Sequence, residues 1–292
     1  PVHKKSEGPW KGKTVITMNS SITSLSLKSA FLFAAITGFQ PPPTLFRRRS
    51  PGSLVPSLVS VASPSSSHTL SRLITTRLPM TSSGPFPELT VFDLDACFWD
   101  QEMYTLSHIP DESDVILGDL NGRGEGVIGV MSGRSKISLN KGSLIALQSH
   151  HDSKYPNMRV CFASSADTPQ AERIGRAALK LLEVVPGTTV WDLVVGRDWK
   201  GEDINQIGRQ PPLSSNKSAT HFPILRELTK VRYDRMLFFD DCNWGDHCGQ
   251  VERACKESDT KKGPTTVRTP FGLGPDEWAT GLEKYAKNNK KR

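Results

Sequence analysis

The chain has 292 residues and a net charge of +7 at neutral pH, a basicity that by itself points to nucleic acid or an anionic membrane as partner. Its distribution removes that reading: residues 1–87 hold ten Lys and Arg against one acid, Glu7, so residues 88–292 carry a net charge of −2. Five cysteines (Cys97, Cys161, Cys242, Cys248, Cys255) are an odd number in a long chain, which excludes a small disulfide scaffold and reads as free thiols in a reducing compartment. No run reaches the roughly 18 apolar residues that span a bilayer, so stable membrane insertion is not expected.

Residues 1–87 are rich in Ser, Thr, Pro and Arg and show no sustained periodicity. Such a segment buries too little apolar surface to offset its ordering entropy, and it is expected to be a disordered extension. Its apolar patch, Ala30 to Ile36, follows Met18 and Lys28 in the charge-then-apolar order of a signal peptide. The Arg- and Ser-rich stretch behind it resembles a transit peptide. Together the two resemble a bipartite plastid-targeting presequence, which implies a plastid location, or a cytoplasmic one for a form starting at Met80.

From Leu89 onward strands and helices alternate. Leu89 to Phe92, Arg159 to Ala163, Thr188 to Val195, Met236 to Phe239 and Thr265 to Arg268 read as short buried strands. Helices are predicted over Gly142 to His151, Pro169 to Val185, His221 to Lys230 and Asp276 to Lys287, with Pro169 suited to a first helical turn. The glycine-rich stretch 100–140 reads as an irregular or hairpin flap. Strands separated by helices predict an α/β, Rossmann-like parallel sheet with right-handed crossovers and helices on both faces. In such sheets chemistry sits beyond the carboxyl ends of the strands.

Two acidic pairs fall at those ends. Asp93-Leu94-Asp95 follows the first strand, and Asp240-Asp241 ends the fourth. A lone Asp-x-Asp is more often a turn or a helix cap. Two acidic pairs, each directly after a run of Val, Leu, Met or Phe, are costly to bury without a cation. If the two strands are neighbours, their oxygens converge on one point suited to Mg²⁺.

Val91-Phe92-Asp93-Leu94-Asp95, then Phe98-Trp99, resembles the first motif of the haloacid dehalogenase superfamily. More narrowly it is similar to the eukaryotic magnesium-dependent phosphatase-1 family of acid phosphatases, over Glu88 to Lys287. The resemblance implies a Mg²⁺-dependent phosphatase with a minimal cap, acting on phosphotyrosine or sugar phosphates. Asp93 would be the nucleophile that forms an aspartyl-phosphate, and Asp95 the general acid and base. Mg²⁺ would be held by Asp93, the Asp95 backbone carbonyl, and one or both of Asp240 and Asp241. Ser164, in Phe162-Ala163-Ser164-Ser165, and Lys217, in Asn216-Lys217-Ser218-Ala219-Thr220-His221-Phe222, would bind the phosphoryl group. Relatives place one residue fewer between this lysine and the His-Phe pair, which leaves its register open by one residue, and Lys200 is a weaker rival. Asn243 and Asp246 are candidates for supporting the metal ligands.

Two positions depart from the family pattern. Cys97 stands where Thr is usual, and Ser165 stands where an Arg follows the second-motif serine. Arg197 or Arg134 could replace that missing cation. The departures keep a second reading open, a catalytically impaired phosphate-binding interaction module of the same fold. A zinc site among Cys242, His247, Cys248 and Cys255 would need tighter paired spacing. Phe98, Trp99 and Trp244 are candidates for the mouth of the site. The implied partner is a phosphorylated small molecule or phosphoprotein, with no nucleic acid.

Overall fold

In the apolar runs alternate side chains serve two different cores, the period expected of strands covered on both faces. A computed structural model describes residues 85–290. The predicted targeting segment and Met80 lie outside the described residues. In chain order the elements are β1 (Leu89–Phe92), β2 (Val115–Asp119), β3 (Glu125–Ser132), β4 (Ser135–Ile137), α1 (Lys141–His151), β5 (Arg159–Ser164), α2 (Pro169–Leu181), β6 (Glu183–Val185), β7 (Thr188–Thr189), β8 (Gln206–Ile207), α3 (His221–Thr229), β9 (Met236–Asp240), α4 (His247–Ala254), β10 (Thr265–Arg268) and α5 (Pro275–Asn288).

The main sheet has five parallel strands in the order β10-β9-β1-β5-β8. Phe92, Phe162, Leu237 and Phe239 face a core closed by α1, α2 and α5. Leu89, Val91, Cys161, Ala163, Met236 and Phe238 face a second core closed by α3 and α4. The larger core centres on aromatics: Phe92 stacks on Phe239 with centroids 5.5 Å apart, and Trp278 of α5 lies 5.5 Å from Phe239. Gly281 permits that approach, because a Cβ there would lie 2.5 Å from the Phe239 ring. Burying an aromatic side chain of this size contributes roughly 1.5–3 kcal/mol. Phe86, just before the boundary expected at Glu88, packs edge-on against Tyr155 at 5.2 Å.

The flap is more regular than expected. Within 100–140, β2, β3 and β4 form a separate antiparallel sheet, tied down by the Trp99–Leu139 bridge. Other differences lie between α2 and α3. The predicted strand Thr188 to Val195 is a strand only at Thr188–Thr189, where it pairs antiparallel with β6. Asp192 then accepts from the Thr189 N–H and hydroxyl, and the chain coils helically through Asp192–Asp198. Val190, Leu193, Val194 and Val195 are buried there, so the apolar run was a buried coil; periodicity does not separate the two in short runs. The helix predicted to Val185 ends at Leu181, and Glu183–Val185 is the partner strand. The fifth strand of the main sheet is instead the two-residue β8. Helix α4 was not predicted; Asp246 caps it by accepting from the Gly249 N–H at 3.0 Å.

Among the described residues no helix is long and apolar enough to cross a membrane.

Candidate active site

Parallel pairing of β1 with β9 puts Phe92 beside Phe239, so the residues that follow, Asp93 and Asp240, emerge side by side at the carboxyl edge of the sheet. The Asp93 N–H continues the ladder, donating to the Phe239 carbonyl at 2.9 Å. Like charges so close require a cation, and Lys217 supplies one. Its Nζ lies 2.7 Å from Asp93 Oδ1 and 2.6 Å from Asp240 Oδ2, with only 1% of the side chain exposed. Lys217 is thus the lysine of the site. Lys200 sits on an exposed turn and does not line the cleft.

The carboxylates are not equivalent. Asp240 is saturated: Oδ1 accepts from the Cys242 N–H at 2.8 Å, Oδ2 from Lys217, and His247 Nδ1 lies 3.2 Å from both oxygens. Burial alone would raise its pKa, but Lys217, then His247, hold it well below the usual carboxylate range. Asp93 keeps a second oxygen with no hydrogen bond from the described residues. Burial pushes it well above the usual range against the pull of Lys217, and Asp240 adds to the rise. Asp241 uses Oδ2 for the Asn243 N–H at 3.0 Å and is raised by burial and then by Asp240. Carboxylate oxygens of Asp93, Asp240 and Asp241 lie within 4.8 Å of one another. Hard oxygens at this spacing, two of the carboxylates with an oxygen to spare, fit Mg²⁺.

Leu94–Phe98 turns back on itself, with Ala96 at φ 51°. Asp95 Oδ1 accepts from the Met103 N–H at 3.0 Å. Burial lifts the Asp95 carboxyl to about 7, against that hydrogen bond. Cys97 points away from the cleft into the core: its Sγ accepts from the Thr269 hydroxyl at 3.2 Å, and its carbonyl accepts from Asn140 Nδ2 at 2.7 Å. Position 97 therefore belongs to the support behind the loop.

On the other flank, Ser164 ends β5 next to β1. Its hydroxyl is buried without a hydrogen-bond partner among the described residues, as is that of Ser165, and a buried polar group left so needs an explanation such as a ligand or water. His221 binds this flank together. Its Nε2 lies 3.1 Å from the carbonyls of both Ser164 and Gly208, which requires the proton on Nε2, and Thr220 Oγ1 lies 3.0 Å from Nδ1. Burial, then Lys217, lower its pKa to about 4, so it is neutral at pH 7.

These groups open into one cleft of about 460 Å³, lined by Asp93, Asp95, Ser164, Ser165, Lys217 and Asp241, with Glu102, Tyr104, Asp167, Arg209, Ser215, Trp244 and His247. A larger hollow of about 540 Å³, between α4 and Lys261–Thr265, contains none of the acidic pairs. Phe98 and Trp99 are core residues, whereas Trp244 is 74% exposed and stands at the rim. Its Nε1 donates to Glu102 at 3.1 Å, and its ring meets Tyr104 edge-on at 6.2 Å. Neither expected replacement cation lines the cleft. Arg197 pairs with Asp198 by the start of β5, at the opposite sheet edge, and Arg134 is exposed in the β3–β4 turn. The guanidinium that does line it is Arg209, for which the sequence carried no signal. Asp246 serves α4, and the cysteines Cys242, Cys248 and Cys255 are buried free thiols in the second core.

A parallel α/β core with acidic pairs after two adjacent central strands defines a protein of the haloacid dehalogenase class. The family model described as Acid Phosphatase matches residues 85–288, and the chain belongs to that family. Comparison with curated proteins returned no match. Membership makes it a phosphatase by class, with a phosphorylated substrate.

Proposed function

We propose that the chain is a Mg²⁺-dependent phosphomonoesterase that works through an aspartyl-phosphate on Asp93. The observation carrying this reading is the asymmetry of the carboxylates: Asp240 is fully engaged, while Asp93 and Asp241 each retain an oxygen toward a cleft that also holds the unpartnered Ser164 hydroxyl. Mg²⁺, held by Asp93, the Asp95 backbone carbonyl and Asp241, would offset the repulsion between the nucleophile and the dianionic phosphate. Asp240 holds Lys217 in place instead of binding the metal directly.

One oxygen of Asp93 attacks phosphorus, the other being the one that would reach the metal, while Lys217 stabilises charge as a fixed point cation. The Ser164 hydroxyl donates to a non-bridging phosphoryl oxygen. Asp95, lifted to about 7, is protonated in a large share of molecules near neutrality. It protonates the departing alkoxide and then, as carboxylate, takes a proton from the water that hydrolyses the intermediate. Phosphotyrosine and sugar phosphates remain the substrate classes of this reading.

The full-length protein should hydrolyse p-nitrophenyl phosphate with Mg²⁺ and lose that activity on chelation, with recovery when Mg²⁺ is returned. A protein inert with Mg²⁺ that still binds phosphate analogues would establish the binding-module reading instead. Residues 18–87 are proposed to direct the protein to a plastid; a fluorescent fusion that stays cytoplasmic would refute this.

A further inference from the structure

Arg209 stands at the cleft because of a backbone arrangement shared with the phosphoryl side of the site. The Gly208 N–H donates to the Ser164 carbonyl at 2.8 Å, and His221 bridges the carbonyls of the same two residues. Gly208 turns at φ +136°, a conformation that glycine reaches without strain, and the next residue is delivered beside Ser165. There the Arg209 Nε donates to the Ser165 carbonyl at 3.2 Å, and one terminal nitrogen pairs with Asp167. The other terminal nitrogen donates to none of the described residues.

Depth separates this cation from Lys217. The Lys217 side chain is 1% exposed and spends its ammonium on two carboxylates, whereas that of Arg209 is 41% exposed. Phosphorus must come down to Asp93, beside Lys217, so Arg209 stands at the level of the group attached to the phosphate. Among the other acids lining the same cleft, Glu102 sits at the Trp244 rim and would repel a negatively charged leaving group on that side. A guanidinium with a terminal nitrogen to spare offers a charged donor that suits a carboxylate.

We infer that Arg209 is the specificity residue of this site, selecting phosphate monoesters whose leaving group carries a carboxylate or similar anionic group. The inference rests on the phosphomonoesterase reading and adds its substrate class. Asp167 competes for the same guanidinium, so it tempers the preference.

The test is ligand binding to full-length Asp93→Asn protein with Mg²⁺, by titration calorimetry, using 4-carboxyphenyl phosphate and phenyl phosphate. The carboxylated ligand should bind about tenfold tighter, as one charge-assisted contact provides. Arg209→Ala should bring the ratio of the two dissociation constants close to one, and Arg209→Lys should retain part of it. Asp167→Asn should raise the ratio, the opposite of what a purely structural Arg209–Asp167 pair would give. A ratio untouched by Arg209→Ala overturns the inference, as does an equal loss for both ligands in a variant whose melting temperature is unchanged. In either case p-nitrophenyl phosphate turnover by the wild type would leave the phosphatase reading standing. A protein that neither binds these ligands nor hydrolyses that substrate overturns both.

Discussion

The two edges of the main sheet each bury a charged cluster, and they differ in what the charges have left over. At the amino edge Asp198 accepts from the Val160 N–H at 2.9 Å, faces His150 Nε2 at 2.7 Å, and pairs through its other oxygen with Arg197. At the carboxyl edge, among the described residues, Asp93 and Asp241 keep an unengaged oxygen each, Ser164 keeps a free hydroxyl, and all three meet in a cleft. Both clusters combine burial with opposite charges at hydrogen-bond distance, so these features alone do not mark a site. Unspent hydrogen-bonding capacity facing a cavity does. The amino-edge cluster is closed on itself and ties α1 to β5, whereas the carboxyl-edge cluster is closed on one side by Lys217 and open on the other.

This contrast breaks most visibly by mutation at the open edge. Asp93→Asn should reduce kcat/KM for p-nitrophenyl phosphate by about four orders of magnitude or more, the scale set by losing a covalent nucleophile. At the closed edge, Asp198→Asn should leave kcat/KM within about twofold while lowering stability by about 1–3 kcal/mol, because it weakens the acceptor that the buried Val160 N–H and His150 share. Denaturant titration of both variants would collapse the distinction if Asp198→Asn proved inactive yet fully stable.

A smaller effect concerns the support behind the open edge. His221 has a folded pKa of about 4 against 6.5 for a free imidazole. A depressed histidine contributes stability that is fully present above pH 6.5 and lost as pH falls toward 4. Stability should decline across that window by as much as about 3 kcal/mol from this residue. His221→Asn should flatten that part of the profile in thermal melts, and an unchanged slope would remove the neutral hub from the account. The smallest predicted effect is a pH limb. Asp95 near 7 means that kcat for an alkyl phosphate should fall about tenfold per pH unit well above 7. Turnover of p-nitrophenyl phosphate, whose leaving group needs no proton, should fall less. Stopped assays from pH 6 to 9 would show equal limbs for the two substrates if Asp95 played no acid role.

How far the sequence revealed this arrangement follows from the same physics. β1, β5 and β9 were legible because strands buried on both faces are unbroken apolar runs, and each acidic pair stood directly at the end of one. That the two strands are neighbours was a condition of the sequence reading, and the pairing of β1 with β9 meets it by placing Asp93 beside Asp240. Lys217 could be picked out by the Asn216 to Phe222 stretch it stands in, although its spacing to His221 and Phe222 is one residue longer than in relatives and a rival lysine stood open until the fold buried one and exposed the other. What stayed hidden depended on short or irregular backbone. β8 has two residues, too few for any periodicity, and Arg209 reaches the cleft only through it. The run Val190 to Val195 looked like a strand because burial, not strand geometry, set its composition. The inward turn of Cys97 toward Thr269 depended on pairing across most of the domain, which no local pattern encodes.

The central claim is that Asp93 attacks phosphorus. Full-length protein mixed with substrate and Mg²⁺, quenched in acid within a turnover and digested, should carry one phosphoryl group on the peptide containing Asp93, removable by hydroxylamine. Active enzyme with no phosphopeptide at any quench time, or with the label on another residue, would contradict the account.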